Sequence, residues 1–422
     1  MSYGDIKTDT GIDQVDERGR RNRTLTSQEM NVFWSAGSFL SKTALPFPAA
    51  DQPHRVALAE LIRLDRKNRC TVTTKSPPPM SVFRVDKGDN NQSVNCATVN
   101  ADASLCASAF ESKTVVWSTP THSSKHSSDD HSTSKAYQML FHPHVMQKAE
   151  LPTGRGTSCI SFSPDSPMIL NGSTKGDIGL WSVEASKKVV SYTGLSSRTA
   201  VWDLDWCPAG TYFSSGSSDG CARVWRSDIP FPIRVFRLPD DDGHHCQLSR
   251  WHPSCQLLAV CSEKAVQVHD ISGNAVVFRF DFINATAIEF SPTGYLLAAA
   301  NENYLCVWEL STGTTLFQVD LFETIVELAW TQPSASLLGD GGLKSVTQQV
   351  GVGHPLLISV DESGKLRLWD RLFVSKPPSC EFEFDQAIRP LHMHVTHRNL
   401  LVIAGVNETS DGHLADTFRS LE

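Results

Sequence analysis

The sequence has no run of 18 apolar residues, and its opening MSYGDIKTDTGIDQVDERGRRNR holds no apolar core. The first absence argues against a helical membrane span, and the second against a secretory signal. Charge is sparse, at 20% of 422 residues, with 38 Lys and Arg against 46 Asp and Glu for a net charge of −8. So mild an acidity does not suit a protein that coats nucleic acid. Cysteine is present 11 times but never as C-x-x-C, and Cys159, Cys261 and Cys306 stand among small apolar residues. Buried free thiols in a reducing compartment explain this pattern. The chain also lacks G-x-x-x-x-G-K-[ST], G-x-G-x-x-G and G-x-S-x-G, so it offers neither a phosphate cradle nor a nucleophile elbow. Hydrophobic residues make up 40%, enough for a sizeable core.

A repeat runs through the chain. An apolar strand, a Ser/Pro or Asp/Gly turn, a small-residue strand, a second turn and a strand tipped by Trp recur in order. The tips are Trp117, Trp181, Trp225, His269 in place of Trp, Trp308 and Trp369, spaced by 64, 44, 44, 39 and 61 residues. Three of these spacings match one four-stranded propeller blade. Both long ones carry an insertion: THSSKHSSDDHSTSK at 121–135, and a Gly/Ser-rich excursion at 332–354.

A lone four-stranded sheet cannot bury both faces, whereas sheets stacked radially can, and closing the ring removes the exposed ends of the stack. Each Trp supplies an apolar body to pack between blades and an N–H that needs an acceptor. Asp219 in SSDG and Asp361 in VDESG are placed to fix the turn before the tipped strand. The expected fold is therefore an all-β, seven-bladed propeller. Six copies are complete; the seventh is a composite of PPPMSVFRV (77–85) with the strands of EFEFDQAIRPLHMHVTHRNLLVIAGV.

Ahead of the ring, DQPHRVALAELIRLDRKNR (51–69) reads as a short helix after Asp51 and Pro53. Its apolar face carries Leu58, Leu61 and Ile62, and Arg66 lies in the basic stretch toward its end, all candidate partner contacts. The expected organisation is a mostly disordered tail at 1–44, a helical lead-in with a Pro-rich linker at 45–79, the propeller at 80–407, and a disordered tail at 408–422.

Other clusters of His, Asp and Arg have a structural as well as a functional reading. His392, His394 and His397 in HMHVTH alternate on a strand, but no local Cys or carboxylate completes a metal set, so packing of the composite blade is preferred. His122, His126 and His131 fit a solvated loop, and Asp240, Asp241 and Asp242 an exposed turn. RGRRNR (18–23) is either a basic tail or a nuclear-import patch. Phe231, flanked by Pro230 and Pro232, either packs as an inter-blade connection or offers an aromatic partner contact on the rim. No catalytic residue, cofactor or metal is expected.

The copies resemble WD40 repeats. YTGLSSRTAVWDLDWCPAGTYFSSGSSDGCARVWRSD, WHPSCQLLAVCSEKAVQVHD and RPLHMHVTHRNLLVIAGV are similar to the propellers of the TBP-associated-factor family found in TFIID and in SAGA/PCAF complexes. The similarity runs over about 45–407. It implies a nuclear, non-enzymatic scaffold that holds histone-fold TAFs in an RNA polymerase II transcription complex and supports pre-initiation complex assembly. Small-molecule substrates, sequence-specific nucleic-acid binding and membrane association are not expected. A propeller adaptor that takes a peptide or histone tail in its central pocket, outside that machinery, is the alternative. No room is expected for the family's N-terminal helical domain, and its Gly-His dipeptide before the inner strand is approximated only by Gly243-His244. A divergent member is the expectation.

Overall fold

The computed structural model describes residues 14–15, 21–22, 69–72, 77–85, 93–118, 139–141, 146–154, 156–195, 199–238, 246–273, 275–321, 323–333, 355–370, 380–382 and 388–407. Among them there is no helix. Seven four-stranded sheets make a propeller, accompanied by a two-stranded pair, Gln14–Val15 with Arg21–Asn22. The sequence segments with Leu58, Leu61, Ile62 and Arg66, the three loop histidines, Asp240–Asp242 and Gly243-His244 lie outside the described residues. So do 121–135, 334–350, most of 1–44 and 408–422.

Five blades are simple meanders, ordered from the channel outward. Blade 2 covers 157–192, blade 3 covers 201–237, blade 4 covers 248–281, blade 5 covers 287–320 and blade 6 covers 325–382. Blade 1 has Val94–Val99, Leu105–Phe110 and Thr114–Ser118, then Met146–Leu151 as its outer strand. The middle strands are wholly buried, as in LCASAF, YFSSGS and LLAAA, because their small residues let neighbouring sheets approach. The core is thus a set of layers between blades. Leu180, Tyr192, Phe213 and Trp225 fill the layer between blades 2 and 3, and Val266, Phe280, Phe290 and Trp308 the one between blades 4 and 5.

The composite blade closes the ring, with additions that the sequence did not reveal. Ile388–Val395 and Leu401–Asn407 form its inner half, and Met80–Val85 pairs with the latter from Met80↔Leu401 to Val85↔Val406. This pairing is parallel, and the N-terminal strand sits third, not outermost. The fourth strand, Met139–Phe141, comes from the far side of the blade 1 insertion and is also parallel. The early part of the EFEF run goes elsewhere: Cys380–Phe382 is the outer strand of blade 6. Residues just ahead of Met80 are tied to the same seam. Cys70 N–H donates to Arg398 O (3.1 Å), and Asn399 Nδ2 donates to Cys70 O (2.9 Å).

Each repeat Trp faces the preceding blade, and its indole N–H looks for an acceptor on the strand beside it. Trp225 donates to Ser215 Oγ (2.9 Å), Trp369 to Ser359 Oγ (2.8 Å) and Trp181 to Asn171 Oδ1 (2.7 Å). In every case the acceptor stands two residues beyond the direct cross-strand partner. Gly179 leaves room for the third pair, since a Cβ there would lie 2.8 Å from Asn171 Oδ1. The same position is Ala299 opposite Trp308 and Val260 opposite His269, and neither side chain can accept. His269 is accordingly buried with no partner for Nε2, its ring 4.8 Å from that of Phe236 in blade 3. Trp117 is half-buried, and Ser108 opposite it is buried without a partner.

Candidate functional site in the central channel

Seven inner strands surround a cavity of about 600 Å³. Each is an edge strand, so half of its backbone donors and acceptors face the channel without a ladder partner. Side chains from the next blade meet many of them. Asp203 Oδ2 accepts from Ser249 N–H (2.8 Å) and Asp205 Oδ2 from Trp251 N–H (2.8 Å), joining blades 3 and 4. Glu327 does the same at the closing seam: Oε2 accepts from Met393 N–H (2.5 Å), and Oε1 lies 3.0 Å from His392 Nδ1. In return the indoles of Trp206, Trp251 and Trp330 donate to the carbonyls of Ser161, Asp205 and Glu289, at 3.2–3.3 Å.

These links collect charge in the channel. Arg250 Nη1 bonds Asp203 Oδ2 at 2.5 Å, and its Nε lies 3.6 Å from Glu289 Oε2. Burial works against the guanidinium, yet Asp203, Asp205, Glu289 and Glu327 outweigh it and hold its pKa above the ordinary value. Four carboxylates around one guanidinium leave the carboxylates in excess. Burial pushes Asp205 up to about 6, against the pull of Arg250 and of the Trp251 N–H. Glu289 rises to about 8 for the same leading reason. Its side chain is 37% exposed, so water in the channel screens part of that effect. Arg69 crosses one mouth, donating from Nε to His397 O (2.8 Å) and from Nη1 to Pro333 O (2.7 Å).

The repeat positions singled out in the sequence do not converge on the channel. Trp181, Trp225, His269, Trp308 and Trp369 are buried between blades around the ring. Asp219 and Asp361 hold turns: their carboxylates accept from Cys221 N–H (3.2 Å) and Lys365 N–H (2.8 Å). Each also binds a guanidinium, Arg223 at 2.6 Å and Arg367 at 2.7 Å, so an arginine from the tipped strand secures a turn where the Gly-His dipeptide is missing. Burial opposes ionisation of both. Hydrogen bonds from Arg223 and Ser217 keep Asp219 below its usual value, and the hydrogen-bonding set around Asp361 does likewise. Phe231 is 61% exposed, so it does not pack as a covered inter-blade connection. His392 and His394 line the channel, and among the described residues no group of three or more His, Cys, Asp and Glu is arranged to hold a metal. Sequence reasoning missed Asp203, Asp205, Arg250, Glu289 and Glu327. Their signal was available: each interrupts an inner strand one or three residues before its closing aromatic, as in VWDLDW and IVELAW.

The WD domain, G-beta repeat family matches residues 187–226. That segment is a WD40 repeat. The matched segment begins in the outer strand of blade 2 and ends at the third strand of blade 3, so one sequence repeat straddles two blades of this WD40 ring. Transcription initiation factor TFIID subunit 5 of Caenorhabditis elegans is 30% identical over 201 residues, covering 46% of this chain and 29% of that protein. The SAGA complex/transcription factor TFIID complex subunit Taf5 of Schizosaccharomyces pombe is 30% identical over 113 residues, 22% of this chain and 18% of that one. The transcriptional corepressor LEUNIG_HOMOLOG of Arabidopsis thaliana is 24% identical over 260 residues, 60% of this chain and 29% of its own length. The chain thus spans less than a third of each of these relatives.

Proposed function

We propose that this WD40 ring is a non-enzymatic scaffold of a TFIID- or SAGA-like RNA polymerase II transcription complex, acting in the nucleus. In this reading it holds histone-fold TAFs and supports pre-initiation complex assembly. One observation carries it: 30% identity over 201 residues to a TFIID subunit 5, in a chain whose propeller offers a wide rigid surface. Partner contacts fall on Phe231 at the rim and on Leu58, Leu61, Ile62 and Arg66 ahead of the ring. Affinity purification of a tagged copy from nuclear extract, read by mass spectrometry, tests this. Histone-fold subunits should co-purify in near-stoichiometric amounts, and a complex without them refutes the assignment.

The channel supports a second reading, an adaptor that takes a basic peptide such as a histone tail. Its favouring observation is Glu289, the channel carboxylate whose only close cation among the described residues is Arg250, at 3.6 Å. Asp203, Asp205 and Glu327 are already engaged with backbone N–H groups, which is why this reading stands second. Labelled histone-tail peptides measured by fluorescence anisotropy against the protein and its Glu289→Gln variant separate the two.

A further inference from the structure

Among the described residues, exposed large apolar side chains are few: Val189, Phe231, Val235 and Ile283. Three of the four lie on the outer strands of blades 2 and 3 or immediately beside them. Lys187–Tyr192 reads KKVVSY, and Pro232–Arg237, preceded by Phe231, reads PIRVFR. Lys187, Lys188, Arg234 and Arg237 are all exposed there, and neither strand contains a carboxylate. Among the described residues, no ion pair joins any of these four cations to an acid. The outer strands of blades 1, 4 and 5 differ, since each carries Glu150, Asp281 or Asp320. Among the described residues, a basic and apolar face is therefore found on two adjacent blades, in a chain whose net charge is −8. Both strands end their sheets, so their outward N–H and C=O groups have no strand partner among the described residues.

We propose that this face docks an acidic segment of a partner protein bearing apolar side chains, laid as an added strand along Pro232–Arg237. The backbone edge supplies the hydrogen bonds, Phe231 and Val235 the apolar contact, and Arg234 and Arg237 the selection for acidic residues. Phe231 and Val235, exposed by 61% and 48%, favour a protein segment over nucleic acid, whose phosphates they would not engage. The inference concerns a surface distinct from the channel and does not depend on which complex the ring joins.

The test uses the full chain and a fluorescein-labelled peptide of about twelve residues in which Asp or Glu alternates with Leu or Phe. One control peptide replaces the acids with Asn and Gln, another replaces the apolar residues with Ser, and a DNA duplex of similar charge is the third probe. The first peptide should bind at physiological salt, and each control at least about tenfold more weakly. Arg234→Glu with Arg237→Glu, and separately Phe231→Ser with Val235→Ser, should each weaken binding by a similar factor. Thermal unfolding should be unchanged, since all four side chains are exposed. Lys187→Glu with Lys188→Glu on blade 2 gives an independent third variant. Hydrogen exchange should slow at 232–237 in the complex. Equal binding of the uncharged peptide or DNA, undiminished affinity in the rim variants, or protection in the channel strands instead would overturn the proposal.

Discussion

Replacing His269 with Phe should remove a defined part of the ring's sensitivity to acid. His269 occupies a Trp position, packs at a tilt against Phe236 with ring centroids 4.8 Å apart and has no partner for Nε2. Burial lowers its pKa from the ordinary 6.5 to about 4. The neutral ring is therefore the native form. The unfolded chain takes up a proton at a higher pH than the folded one does, so stability is fully present above 6.5 and drains as pH falls toward 4. Each pH unit inside that window is worth about 1.4 kcal/mol, so stepping from about pH 7.5 to about pH 5 costs about 2 kcal/mol through this residue alone. Phe fills a similar volume, keeps the ring contact with Phe236 and cannot be protonated. Urea unfolding followed by tryptophan fluorescence at both pH values gives the comparison. Wild type should lose about 2 kcal/mol more than His269→Phe over that step, while at the higher pH the variant should be no less stable, having shed a buried unpaired nitrogen. His252 and His394, also lowered to about 4 by burial, remain in both proteins and cancel from the difference. Equal acid losses in the two proteins would refute the assignment of a neutral His269 with an unpaired Nε2.

Two further perturbations test the hydrogen bonds between strands and blades. Ser359→Ala strips the Trp369 indole of its acceptor and should lower stability by about 1–3 kcal/mol, whereas Ser108→Ala, at a hydroxyl with no partner, should cost nothing or stabilise slightly; both read out in urea unfolding. Glu327→Leu removes the acceptor of Met393 N–H and the partner of His392 at the closing seam. It should destabilise by about 2–3 kcal/mol, with Glu327→Gln, which keeps one acceptor oxygen, closer to wild type.

The ring was legible because its periodic signal is coarse and redundant. Six Trp-type positions, each ending a strand after two turns, survive substitution of one tip by His269 and the inflation of two spacings by insertions. Closure of Met80–Val85 on Leu401–Asn407 followed from counting strands left over at each end. Its parallel sense did not, because nothing in MSVFRV encodes a direction, and two short apolar strands pair either way. The donation of Met139–Phe141 to a neighbouring blade was equally hidden, since three residues beside a polar insertion carry no period. The channel charges were on the page but unread. Asp203, Asp205, Glu289 and Glu327 look like ordinary polar faces of half-buried strands until the ring brings each within reach of the next blade's backbone. The pairing of His269 with Val260, and of Trp225 with Ser215, likewise depends on register that only the folded sheet provides.

Parallel pairing at the seam also sets an order of assembly. Blades 2 to 5 are each built from a contiguous stretch and can form as the nascent polypeptide leaves the ribosome. Met80–Val85 emerges before all of them, yet its neighbour toward the channel begins at Leu401, synthesised after all of them. Until then that early strand waits with one flank bare, beside a half-built circle whose terminal layer is equally uncovered. A ribosome that stalls before Leu401 would release a product with two complementary sticky ends, able to join head to tail with its own kind.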